Sequence, residues 1–187
     1  MIRHSKIERW TLVFVLLSVP SCAENRDQPA GESARGETWS PGRAGSQMES
    51  CVVTKIIDGD TIHCEPVGRI RFIGMDTPER GQKPYGPMAT AALAELAPVG
   101  SEVSIEFDVE RQDRYDRILG YVWAGNEMVN WRLVRDGYAL LATYPPNVAY
   151  VDHFIEAQRV AREEAVGLWA VSGFECTPAD YRRQLCR

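Results

Sequence analysis

Five β-rich runs, with a helix-prone run after the third, predict an α+β chain built on a five-stranded Greek-key β-barrel of the OB type with about three helices. The clearest strand pair is 51–57 with 60–65, joined by Asp58-Gly59, a strong short-range hairpin signal. The clearest single strand is 101–109, which alternates strictly and puts Val103, Ile105, Phe107 and Val109 on one face. Between them, 69–75 reads as the third strand, and Pro87 opens a helix over 88–97, since proline is tolerated in a first turn. The fifth strand, 118–124, is bounded by Gly125-Asn126, and a short helix over 128–136 stops at Gly137. Val151, Phe154, Ala157, Ala161 and Ala165 recur at helical spacing, so a longer helix covers one end of the barrel.

A chain of 187 residues is longer than one such barrel needs, and the surplus lies at the start. Residues 1–22 carry Arg3, Lys6 and Arg9, then an apolar run over 12–17, then Val19-Pro20-Ser21-Cys22. That is the charged start, short apolar middle and small-residue exit of an export signal, and the run is too short for a membrane span of about 20 apolar residues. The last four residues are similar to a bacterial lipobox, which would lipidate Cys22. Cleavage after Ala23 would instead release a soluble protein. Residues 23–48 are rich in Gly, Ser, Pro, Arg and Glu and read as a linker, with a flexible span on the order of 28 Å. The folded unit is then 49–187, an extracytoplasmic domain, either secreted or periplasmic or held to a membrane through Cys22 alone.

That unit holds 15 basic against 21 acidic residues, a net of −6 within a chain of −5. Polyanion binding by bulk charge is excluded, so any nucleic-acid contact must be local. Four cysteines remain after either cleavage, and in an exported domain they suggest two disulfides from three possible pairings. Cys51 and Cys64 lie almost symmetrically about Asp58-Gly59, which favours Cys51–Cys64 and leaves Cys176–Cys186.

Three motifs carry chemistry. Ile57-Asp58-Gly59-Asp60-Thr61 is a hairpin entering a strand, and Arg71-Phe72-Ile73-Gly74-Met75-Asp76-Thr77-Pro78-Glu79-Arg80 leaves one. Two antiparallel crossings bring Asp60 and Asp76 to the same barrel edge, where two unpaired carboxylates are costly unless a cation sits between them. Two carboxylates and the Thr77 carbonyl, without His or Cys, make a site for a hard divalent ion; calcium is expected, with magnesium the alternative. In the third motif, Arg111-Gln112-Asp113-Arg114-Tyr115-Asp116-Arg117, Arg117 joins Arg71 in offering planar forks of donors to phosphate oxygens. Tyr115 stands ready to stack on a base or to hydrogen-bond a phosphate, and Arg80, Lys83 and Arg114 add positive charge near the same mouth.

Asp58-Gly59-Asp60-Thr61, Arg71 with Asp76-Thr77-Pro78-Glu79, Pro84-Tyr85-Gly86-Pro87 and the run from Asp113 to Arg117 resemble, in order and spacing, the staphylococcal nuclease-like thermonucleases. The resemblance runs over about 52–169 and includes Met128-Val129-Asn130, Leu133-Val134-Arg135-Asp136-Gly137 and Gly167-Leu168-Trp169. It implies a monomeric, calcium-dependent phosphodiesterase acting on DNA and RNA that leaves 3′-phosphate ends. Asp60, Asp76 and Thr77 would hold the calcium, Glu79 would serve as general base or orient the attacking water, and Arg71 and Arg117 would clamp the phosphate. Tyr115, Arg114, Lys83 and Tyr144 would contact the nucleic acid, Tyr144 being the candidate for the family's nucleotide-stacking tyrosine. Asp116 departs from the pattern, standing where the bacterial prototype has glycine, and 142–147 is one residue shorter than its counterpart. The alternative function is a non-catalytic nucleic-acid-binding or interaction module on the same fold, against which retention of Asp60, Asp76, Glu79, Arg71 and Arg117 argues.

Overall fold

The computed structural model describes residues 45–186. The export signal, the lipobox and the linker up to residue 44 lie outside the described residues. Alternation along β1 (Met48–Ile56) buries Cys51 and Val53 and exposes Val52. β1 continues through the Asp58-Gly59 turn into β2 (Thr61–Glu65), which pairs antiparallel with it and with β3 (Gly68–Phe72). β4 (Gly74–Asp76) and α1 (Tyr85–Leu96) follow, then β5 (Glu102–Glu106) beside β1 and β6 (Ile118–Ala124) beside β5. β6 then closes on β3 in parallel, with Arg71 opposite Leu119 and Phe72 opposite Gly120. The result is a mixed five-strand barrel of β1, β2, β3, β5 and β6, whose closure leaves no long unpaired edge. Val53, Ile62, Ile70, Phe72, Val103, Ile105 and Val122 fill it.

β7 (Glu127–Met128) returns on β6 and leads into α2 (Val129–Arg135). β8 (Leu140–Ala142) pairs with β4, and α3 (Val151–Glu163) buries Phe154, Ala157, Val160 and Ala161 and packs mainly on α2, with β4 and β8 beside it. A 3-10 turn (Gly167–Val171) precedes α4 (Pro178–Arg182). Both expected disulfides are present. Cys51–Cys64 joins Cα atoms 5.5 Å apart and crosses the β1–β2 pair diagonally into the core, since Cys64 stands opposite Val53. Cys176–Cys186 flanks α4, with Cα atoms 5.7 Å apart.

Several boundaries differ from the pattern-based expectation. β1 begins at Met48, a residue assigned to the linker, because Met48 pairs with Glu106. The run 69–75 is two strands: Gly74 turns the chain with φ of 79° and lies so close to α3 that a Cβ would sit 2.7 Å from the Phe154 ring. α1 starts at Tyr85, ahead of Pro87, which stays within the first turn. β5 stops at Glu106, so Phe107 is still buried while Val109 is largely exposed. α3 ends at Glu163, and Ala165 lies beyond it, exposed and left-handed, leaving the apolar spacing one position longer than the helix. α4, capped by the Thr177 hydroxyl, is a fourth helix that no apolar periodicity announced.

Asn130 holds the bend between β3 and β4. Buried at the start of α2, its side chain accepts from the Val122 N–H at 2.8 Å and donates to the carbonyls of Ile73 at 2.9 Å and Gly120 at 3.2 Å. Asn130→Ala strips those partners from buried backbone groups and is expected to cost about 2 kcal/mol. Urea unfolding of the two proteins measures it, and a difference below about 0.5 kcal/mol would show that the corner is held by other means.

Candidate active site

The hairpin and the bend deliver two carboxylates to one mouth. Asp60 follows the turn, and its own carbonyl accepts the Phe72 N–H at 2.9 Å, which fixes the start of β2 against the end of β3. Asp76 ends β4, opposite Leu140. Both are buried. Asp60 Oδ2 accepts the Thr77 N–H at 3.2 Å and the Thr77 hydroxyl at 2.9 Å, and Oδ1 accepts the Thr61 hydroxyl at 3.0 Å. From β3, Arg71 spans the pair: Nη2 donates to Asp76 Oδ1 at 2.9 Å, and Nη1 lies 2.7 Å from Asp60 Oδ2 as a charge contact without hydrogen-bond alignment.

Glu79 lies three residues past Asp76, in the loop before α1. Gly86 lets the first turn of α1 rest on that loop, for a Cβ there would be 2.1 Å from the Glu79 carbonyl oxygen. The Glu79 N–H donates to Gln82 Oε1 at 2.6 Å, and its Oε1 accepts from Arg182 Nη1 at 2.6 Å. Arg182 also donates to both oxygens of Asp76, at 3.2 Å and 2.7 Å. Hydrogen bonding by Asp76 is the largest of the effects that raise the Arg182 pKa above its already high ordinary value.

Across the mouth, Asp113 organises the 111–117 loop. Its Oδ1 accepts the N–H groups of Tyr115 and Arg117 at 2.9 and 3.0 Å, and its Oδ2 pairs with the Arg117 guanidinium at 2.6 Å. Burial acts upward on the Asp113 pKa, but these bonds from Arg117 and the backbone outweigh it and hold the group below its ordinary value. Asp116 adopts φ of 59°, the left-handed conformation that aspartate tolerates better than most residues, which explains how it replaces a glycine. Tyr115 is 61% exposed, with the Arg114 guanidinium 4.8 Å from its ring centroid. Tyr144 is equally open, at 63%, on a loop tied down by buried Asn147, which exchanges two 2.8 Å bonds with the Glu110 backbone.

All these groups line one cavity of about 670 Å³: Asp60, Arg71, Asp76, Thr77, Glu79, Arg114, Tyr115, Arg117 and Tyr144, together with Arg182. Lys83 does not; it lines a neighbouring cavity of about 660 Å³, which shares Glu79 and Arg182 with the first. Sequence reasoning missed Arg182, whose only signal was its position inside a cysteine-closed tail. It also passed over Asp58 as a turn residue. Burial, with the adjacent Asp60 charge second, pushes the Asp58 pKa up to about 6.

Among the described residues no group of three or more His, Cys, Asp or Glu is arranged for a metal ion. Asp60, Asp76 and Thr77 nonetheless suit a hard cation. Two buried carboxylates converge within reach of one guanidinium, every donor is oxygen, and a hard ion completes its shell with water and substrate oxygens.

The family model for staphylococcal nuclease homologues matches residues 69–171. The chain is 38% identical over 129 residues to a thermonuclease of Staphylococcus intermedius, covering 65% of this chain and 76% of that protein. It is 34% identical over 143 residues to a thermonuclease of Staphylococcus hyicus, covering 72% and 84%. With endonuclease YncB of Bacillus subtilis it shares 32% over 138 residues, covering 68% and 65%.

The Asp58 shift has a readable consequence for the metal-free protein. An acid whose folded pKa is about 6 against 3.8 unfolded adds stability that is fully present below pH 3.8 and is lost as pH rises through about 6. Asp58→Asn should therefore flatten the stability profile between those values. Unfolding midpoints at pH 4 and pH 7 check it; parallel profiles would place the titration elsewhere.

Proposed function

Because the chain belongs to the family of staphylococcal nuclease homologues and is a hydrolytic nuclease of that family, we propose that it is a calcium-dependent endonuclease hydrolysing DNA and RNA to 3′-phosphate ends. The observation that carries the reading is the convergence, in one open cavity, of two buried carboxylates, a third carboxylate at Glu79 and the Arg71 and Arg117 guanidiniums.

Attack on a phosphodiester adds negative charge to an anionic centre, so positioned positive charge supplies much of the acceleration. Asp60 and Asp76, with the Thr77 carbonyl, hold the calcium. When bound, that ion neutralises charge on the phosphate and orders water beside it. Arg71 and Arg117 each present a planar fork to the phosphate oxygens. Glu79 orients a water and accepts its proton. Tyr115 and Tyr144, exposed on two loops that line the mouth, stack on bases, and Arg114 and Lys83 meet phosphates further along the strand. With a complete set of groups in one chain, the domain acts as a monomer.

Residues 1–22 serve as the export signal, with Cys22 as the lipid attachment point if the lipobox is used, and 23–47 serve as the tether, so the domain works outside the cytoplasm. Two disulfides in a unit of this size suit such an oxidising compartment.

Plasmid and RNA digestion with calcium, and with chelator, tests the function directly. Asp60→Ala should abolish cleavage and weaken calcium binding while the far-ultraviolet circular dichroism stays unchanged; full activity of that variant in chelator would remove the metal from the reading. Arg71→Lys and Arg117→Lys keep charge but lose the fork, and each should forfeit ~2 kcal/mol or more of transition-state stabilisation. Steady-state rates give that number, and near-normal turnover in both would reduce the arginines to surface charge.

A further inference from the structure

The tail beyond the matched family region enters the site. The family match ends at residue 171, whereas Arg182 lies on α4, between Cys176 and Cys186. Its guanidinium touches three carboxylate oxygens: Glu79 Oε1 at 2.6 Å and the two of Asp76 at 2.7 and 3.2 Å. The same tail also holds the Glu79 main chain. Gln82 accepts the Glu79 N–H at 2.6 Å through Oε1 and donates through Nε2 to the Cys176 carbonyl at 3.0 Å. A closed path therefore runs from the Glu79 backbone through Gln82 to Cys176, across the disulfide-bounded helix, and back through Arg182 to the Glu79 carboxylate. Glu79 is 37% exposed at its side chain, with several rotatable bonds, and needs such a fixture to stay beside Asp76.

Resting on the roles proposed above for Glu79 and Asp76, we propose that Arg182, carried by the loop that Cys176–Cys186 closes, is a positioning residue that sets the Glu79 carboxylate beside Asp76 and competes with the divalent cation for Asp76. These two effects pull in opposite directions. Removing Arg182 frees Asp76 and favours a cation there, because one positive charge no longer opposes another. It also releases Glu79, which then spends less time in its working position. A merely structural contact would behave differently, since its loss would loosen metal binding and turnover together.

The test uses the full chain. Calorimetric titration with calcium chloride gives metal affinity without any reaction, and hydrolysis of a single-stranded oligonucleotide at saturating calcium gives kcat and KM. Arg182→Ala should bind calcium at least threefold tighter and turn over at least tenfold slower, with KM within twofold, when both proteins are assayed well below their melting temperatures. Arg182→Lys should recover a substantial part of kcat, because an ammonium still reaches one of the carboxylates. Cys176→Ser with Cys186→Ser should move both quantities as Arg182→Ala does. Calcium affinity that is unchanged or weakened in Arg182→Ala, or kcat within twofold of the parent, would overturn the inference. A parent chain that cleaves nothing would overturn the nuclease reading instead, and the calorimetric arm would still decide whether Arg182 competes for Asp76.

Discussion

Asp60 and Asp76 bring two buried negative charges to one mouth beside the barrel, where neither has much bulk water to solvate it. Charges so placed cost several kcal/mol each unless they are matched by good partners. The structure answers with two guanidiniums, Arg71 from β3 and Arg182 from α4, and with the Thr61 and Thr77 hydroxyls. Much of the fold serves this balance. Barrel closure through β3 and β6 fixes Arg71, the Asn130 brace sets the bend after it, and the β4–β8 pair fixes Asp76. The compensation is incomplete at Asp58, which burial and its neighbour Asp60 leave inclined to hold a proton.

The parts of this arrangement that were legible in the sequence are those that local chemistry specifies. Asp58-Gly59 announced the hairpin, alternation announced β5, and the near-symmetry of Cys51 and Cys64 about the turn announced a disulfide across it. Asp60 and Asp76 could be brought together because two antiparallel crossings return the chain to one edge. Illegible features depend on contacts distant in sequence. The break at Gly74 follows from the approach of Phe154, eighty residues later, and no alternation of apolar residues encodes it. β8 is only three half-buried residues, too short to show a period. The tail is the extreme case: a cysteine pair tells that a loop is closed but not which surface it faces, so Arg182 carried no sign of its partners.

The arginines divide by what holds them. Arg117 is bound to Asp113, four residues before it, in a loop whose own backbone wraps the same carboxylate, so its place is set locally and the 111–117 motif could be recognised as a unit. Arg71 and Arg182 rest on acidic groups proposed for catalysis, and their places are set by tertiary structure. Ion pairs of the second kind are inherently exchangeable. An anionic phosphate and a divalent cation offer the guanidiniums and the carboxylates, respectively, better partners than they offer each other, so pairing in the resting site preserves charge balance without blocking entry.

That exchange also accounts for a cluster of guanidiniums at one mouth of an acidic protein. At −5 for the chain, the surface repels a polyanion on average, and attraction must come from a few guanidiniums concentrated where the backbone is to be cut. Unopposed, those same guanidiniums would crowd one another with like charge. Interleaving them with Asp60, Asp76, Glu79 and Asp113 removes the repulsion and holds each fork in place. A cation at Asp60 and Asp76 would then turn the mouth positive when it binds, tying attraction for the strand to the presence of the metal. Charge on this protein therefore serves positioning, and under the proposed function the exposed rings of Tyr115 and Tyr144 would restore by stacking the affinity given up in bulk attraction.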